Sequence, residues 1–295
     1  MKKFSLIIFS IFCFATAESQ LKDDSILVNG IYRKFHFNEP KTTKTNASLI
    51  FILHGSGGSG RQVANGAVKL EAIAEKENLL LVYPDGYKNY WNECRKAATS
   101  AANLENINEN GFFNSMIDHF TKSYGINPKH VFVVGTSGGG HMAYKLALTM
   151  PEKIKAITAI IANLPDSANM DCAYSGIPIS VMIINGTNDQ TNPYNGGEMK
   201  IPGTYLGTVR STKETFKYWV SLNGYSGMPK ETMLADVDPT DGKTIVRYRF
   251  EDKNKPSVVL LKVIGGKHDY PNDIDVYLEA WKFFKQEINR STTTK

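Results

Sequence analysis

Past a polar stretch at Lys41–Asn46, short unbroken apolar runs alternate with segments of helical period. The runs are Ser48–Leu53, Leu79–Tyr83, Val131–Val134, Ile154–Ile161, Ile177–Ile184 and Val258–Ile264. Strands this uniformly apolar are covered on both faces, as in a parallel sheet between helices. The pattern predicts helices over Gln62–Glu77, Asn108–Tyr124, His141–Met150 and Ser211–Leu222, with an amphipathic one, Asp275–Ile288, closing the chain. Such alternation predicts an α/β fold with a doubly wound, mostly parallel sheet and helices on both faces. Two departures are expected. Ser25–Val28 and Ile31–Phe37 flank Asn29-Gly30, the signature of an N-terminal β-hairpin. Lys243–Phe250 alternates with period two and reads as an antiparallel strand near an edge.

The N-terminus adds a location. Lys2 and Lys3 precede the apolar stretch Phe4–Phe14 and then Ala15-Thr16-Ala17, so residues 1–17 read as a secretory signal peptide. The stretch is too short to span a bilayer, and no second long apolar run follows, so no membrane span is expected. Residues 18–295 are then expected to be a single domain, secreted or periplasmic. Removing the leader takes away two lysines and no acids, and the net charge falls from +5 to about +3. Scattered basic residues with so small an excess exclude a nucleic-acid partner. With 42% hydrophobic residues over this length, the chain can bury a full core, which excludes disorder. Cys13 lies in the leader. Cys94 and Cys172 remain, an even pair expected to form a disulfide in an oxidising compartment. No C-x-x-C is present, and no metal site is expected.

Candidate chemistry begins where Val131–Val134 runs into Gly135-Thr136-Ser137-Gly138-Gly139 and then a helical pattern. This is G-x-S-x-G at a strand-to-helix turn, where glycines let a strained serine stand above the sheet. Its partners follow in the order acid, then histidine. Of the two later histidines, His141 lies one helical turn on and is badly placed, which leaves His268 past the last apolar run. Asp189, just beyond Ile177–Ile184, is the expected acid, and Asp166 is the alternative. Such a serine also needs donors for an oxyanion. These are expected from the N–H of Gly138 and from the loop His54–Gly60, with Ser56 the first choice and Gly57 the next. That loop supports a rival reading. Gly55-x-Gly57-x-x-Gly60 with Asp85 downstream formally matches a dinucleotide fingerprint. The leader, the spacing of 25 residues from Gly60 to Asp85, and the unexplained serine, acid and histidine oppose it, so no cofactor is expected.

With these landmarks the chain resembles the secreted polyhydroxybutyrate depolymerase and feruloyl esterase-like branch of the α/β-hydrolases, from about Phe35 to the last helix. Leu53-His-Gly55, Tyr83-Pro-Asp-Gly86 followed by Trp91-Asn92, Tyr124-Gly-Ile-Asn-Pro128, the serine turn, Asn185-Gly-Thr-Asn-Asp189 with Pro193-Tyr-Asn-Gly-Gly197, and Gly265-Gly-Lys-His268 carry the likeness. The resemblance implies a serine carboxylic-ester hydrolase with Ser137, Asp189 and His268 as its triad. The expected substrates are aryl (feruloyl-type) or acetyl esters of carbohydrates, or small esters. A polyhydroxyalkanoate depolymerase and a peptidase on the same fold are the alternatives. Asn108-Glu109 stands where the family has two aspartates, and His141 where it often has a small or apolar residue. Trp91 either lines the substrate pocket, with Asn92 bonding the substrate, or is a structural aromatic beside Cys94.

Overall fold

The Asn29-Gly30 pair turns as its residues dictate. Asn29 and Gly30 take φ of 48° and 83°, the left-handed values a two-residue hairpin turn needs. They join β1 (Lys22–Val28) to β2 (Ile31–Phe37) in antiparallel register, Val28 opposite Ile31. The structure, a computed structural model, describes residues 21–39, 45–201 and 204–292. The expected leader and most of the polar stretch at 41–46 lie outside these. After the hairpin come β3 (Ala47–Leu53), α1 (Gly60–Gly66), α2 (Val68–Glu77), β4 (Leu79–Pro84), α3 (Ala101–Leu104), α4 (Glu109–Tyr124) and β5 (Ile126–Thr136). Then follow α5 (Gly138–Thr149), β6 (Ala156–Ile160), β7 (Ser180–Gly186), β8 (Gly197–Ile201), β9 (Thr204–Val209) and α6 (Thr212–Leu222). The chain closes with β10 (Lys230–Met233), β11 (Thr244–Asp252), β12 (Lys255–Ile264) and α7 (Val276–Thr292).

Ten strands form one sheet in the order β1-β2-β4-β3-β5-β6-β7-β12-β11-β10. From β4 to β12 every pairing is parallel; the hairpin on one side and β11-β10 on the other are antiparallel. The unbroken apolar runs are explained by the two faces. Leu49, Phe51 and Leu53 point into one core with Phe113, Met142 and Trp219 of α4, α5 and α6. Ile50 and Ile52 point into the other with Leu70 of α2 and Trp281 and Phe284 of α7. The α/β-hydrolase expectation, with a mostly parallel sheet and helices on both faces, holds.

Several boundaries differ for physical reasons. The helix expected over Gln62–Glu77 breaks at Ala67, whose N–H bonds back to Ala64, directly after Asn65-Gly66. Glycine costs a helix roughly 1 kcal/mol relative to alanine, so the break falls there. The helix expected from His141 begins at Gly138, because the serine turn feeds straight into it. The strand expected from Ile177 begins at Ser180. Short β10, all four residues exposed, carries no burial pattern to read. The ribbon β8–β9 stands outside the main sheet.

The disulfide forms between Cys94 and Cys172, 78 residues apart, with Cα atoms 5.1 Å from each other. A cross-link closing so long a segment restricts the unfolded chain. Its loss in Cys94→Ser/Cys172→Ser should lower stability by about 2–4 kcal/mol, read from the urea midpoint at unchanged slope. An unchanged midpoint would show that the bond contributes nothing to folding.

Candidate active site

Three loops at the carboxyl ends of parallel strands converge on one point. β5 delivers Ser137, whose φ of 52° and ψ of −116° lie in a region that side chains avoid. The turn is fixed through the backbone: Ser137 N–H donates to Ile160 O at 2.8 Å, and His141 N–H donates to Ser137 O at 3.0 Å. Its glycines are needed for close approach. A Cβ on Gly135 would overlap the carbonyl of Gly139, and one on Gly139 would come within 2.5 Å of Leu53 O.

The loop after β12 delivers His268 and the loop after β7 delivers Asp189. The two loops are tied together. Asn188 N–H donates to Gly266 O at 2.8 Å, and Gly265 N–H donates to Thr187 Oγ1 at 3.0 Å. His268 Nε2 lies 3.0 Å from Ser137 Oγ, and its Nδ1 lies 2.7 Å from Asp189 Oδ2. Asp189 is buried, and its other oxygen, Oδ1, accepts from the N–H groups of Thr191 and Asn192, each at 2.8 Å. The alternative acid, Asp166, instead accepts from Thr208 Oγ1 and from Asn169 N–H.

The loop after β3 completes the arrangement. Ser56 N lies 2.9 Å from where a Cβ on Gly138 would be, and both residues border one cavity of about 450 Å³. Gly57, the second choice, gives its N–H to Asn89 O at 2.9 Å. His54, a positioning residue whose role the sequence did not disclose, braces this loop. Gly86 N–H donates to His54 Nε2 at 2.9 Å, so Nδ1 carries the proton and donates to Gly55 O at 2.7 Å. Burial lowers the His54 pKa, in keeping with this neutral tautomer. The dinucleotide-like pattern has its acid engaged within the fold. Asp85, its supposed ribose ligand, accepts from the N–H of Gly60, the last glycine of that motif, at 2.7 Å.

Trp91 is buried between a cavity and the His54 loop. Its ring borders the 450 Å³ cavity, and its Nε1–H donates to His54 O at 2.9 Å. Asn92 is a correction. Its amide Nδ2 donates to Ile107 O at 2.9 Å and Asn106 Oδ1 at 3.1 Å, while its Oδ1 accepts from Asn103. The side chain closes its own loop instead of facing a substrate. The two departures from the family pattern also have places. Asn108 caps α4, accepting from Gly111 N–H at 2.9 Å, and buried Glu109 pairs with Arg33 at 2.9 Å. His141 is buried with neither ring nitrogen hydrogen-bonded among the described residues. Burial, with Arg95 and His268 adding to it, holds its pKa well below the usual range, so the ring is neutral.

Known proteins similar to this chain are esterases by name. A profile of the phospholipase/carboxylesterase family matches residues 36–218. The putative esterase NocK of Nocardia uniformis subsp. tsuyamanensis is 25% identical, over 79% of this chain and 68% of that protein. Feruloyl esterase B of Piromyces equi is 23% identical over 81% of this chain; the match spans less than half, 42%, of that longer protein. The solved acetyl xylan esterase from Aspergillus awamori shares the fold, with a TM-score of 0.59 and 18% identity over 89% of this chain and 99% of that one.

Proposed function

The chain belongs to the phospholipase/carboxylesterase family, and on that premise we propose that it cleaves carboxylic esters through an acyl-serine intermediate carried by Ser137. His268 takes the serine proton at Nε2 as the oxygen attacks the ester carbonyl, then returns it to the departing alcohol. Asp189 holds Nδ1–H, fixing the tautomer and stabilising the imidazolium. The N–H groups of Gly138 and Ser56 receive the oxyanion, that of Gly138 adding the positive end of α5. Water, activated by the same histidine, releases the acid. The observation that supports this most strongly is His268 bridging Ser137 Oγ and Asp189 Oδ2 at 3.0 and 2.7 Å.

Residues 18–295 act on this reading as one catalytic domain, exported by the leader. The Cys94–Cys172 bond supports an oxidising destination, and among the described residues no helix is long and apolar enough to cross a membrane. The substrates are aryl or acetyl esters, of carbohydrates or of small alcohols. Trp91 offers an aromatic wall, worth ~0.5–1.5 kcal/mol beyond burial against an aryl ring. A hydrolysis panel tests this: p-nitrophenyl esters of rising chain length, methyl ferulate, acetylated xylan, hydroxybutyrate oligomers and peptide amides. Acetyl or feruloyl substrates should give the highest kcat/KM. A maximum at long acyl chains, at hydroxybutyrate oligomers or at amides would replace this assignment.

A further inference from the structure

The cavity beside Ser56 and Gly138 has a charged wall that the triad does not use. Arg95 borders it and is 4% exposed. Its Nε–H donates to Glu93 Oε1 at 2.8 Å, and its backbone N–H donates to Glu93 Oε2 at 2.9 Å. The outer edge of the guanidinium is poorly served. Nη1 meets only the thioether of Met199, at 3.1 Å, and among the described residues no carbonyl or carboxylate accepts from either Nη. Sulfur is a weak acceptor, and a buried cation with unmet donors is expensive. Burial raises the Glu93 pKa, and Arg95 beside it acts in the opposite direction.

Further charged groups stand near Arg95. Lys145 Nζ donates to Asn92 O at 2.6 Å, within the field of Glu109, Glu93 and Asp171, and Glu109 is paired with Arg33. Three cations, Arg33, Arg95 and Lys145, thus stand with three acids, Glu93, Glu109 and Asp171, so what is left unmet is the outer edge of the Arg95 guanidinium. His141 beside them is neutral and offsets nothing. Leu206 of the β8–β9 ribbon borders the same cavity.

We propose that Arg95 is a specificity-determining residue that binds a carboxylate on one arm of the ester, so that the preferred substrates are acid-bearing esters. This rests on the serine-esterase reading and narrows its substrate class. A planar guanidinium edge matches a carboxylate in two parallel hydrogen bonds, and such a partner would satisfy the Nη donors that the fold leaves unmet.

The test uses two matched pairs. p-Nitrophenyl hydrogen glutarate against p-nitrophenyl pentanoate puts the charge on the acyl arm. 3-Acetoxybutyrate against its methyl ester puts it on the alcohol arm. In at least one pair the acid should be favoured in kcat/KM by about tenfold or more, mainly through KM, the scale of a charge-assisted hydrogen bond. Glu93→Gln should widen the ratio, and Arg95→Gln should collapse it. Glu93→Gln/Arg95→Gln leaves no buried charge unpaired, so it should fold even if Arg95→Gln does not, and it too should show no preference. A flat ratio in the wild-type protein for both pairs, or a preference that survives the double variant, overturns the assignment. p-Nitrophenyl acetate separates the two levels. Hydrolysis within tenfold of wild type in Ser137→Ala overturns the serine reading, whereas a collapse of the rate there alongside flat ratios overturns only the role of Arg95.

Discussion

Ser137→Ala should reduce kcat for p-nitrophenyl acetate by about a millionfold, the scale seen when a triad nucleophile is removed. A fluorophosphonate should label the wild-type protein at Ser137 and leave the variant unlabelled. The variant should remain folded, because the turn is held by bonds from the Ser137 backbone to Ile160 and His141 that alanine keeps. Residual hydrolysis above the rate in water is still expected, since the N–H groups of Gly138 and Ser56 do not depend on the hydroxyl. Activity within tenfold of wild type would remove Ser137 from the mechanism.

Asp189→Asn should lower kcat by about ten-thousandfold, and the surroundings of this carboxylate say why the loss is so large. Oδ1 accepts two backbone N–H groups, from Thr191 and Asn192. An asparagine can satisfy both only with its carbonyl oxygen, which turns its NH2 toward His268. An NH2 donor facing Nδ1 selects the tautomer with the proton on Nε2, and that nitrogen can no longer accept from Ser137. The side chain would be nearly isosteric and its loop undisturbed, so the melting temperature should move little while the rate collapses. Asp166→Asn should stay within tenfold of wild type, since Asp166 serves Thr208 and Asn169. The reverse outcome would exchange the roles of the two acids.

What could be read from the sequence was whatever local pattern determines. Runs such as Ser48–Leu53 are apolar at every position because both faces of β3 are covered. Asp189 and His268 are found at adjacent strand ends because β7 and β12 pair in parallel, with Gly186 opposite Val263. What could not be read depends on partners distant in the chain. Asn92 looked available until Asn103, Asn106 and Ile107 folded back over it. His54 is one more polar residue in a glycine-rich loop until Gly86, 32 positions on, donates to its ring. Arg95 carries no motif at all. Its meaning comes from Glu93, from Met199 more than a hundred positions away, and from the cavity they share.

The backbone at Ser137 sets stability against chemistry. Holding a non-glycine residue at φ 52° and ψ −116° costs on the order of 1–3 kcal/mol, which the rest of the fold must offset. Glycine would relieve that strain and, on the mechanism proposed, abolish the reaction in one substitution. A lineage selected only for durability would therefore drift toward glycine here and become a sturdier, inert protein. On the mechanism proposed, the strain held at this one residue is stability exchanged for turnover, an exchange that the relaxed loops around it do not make.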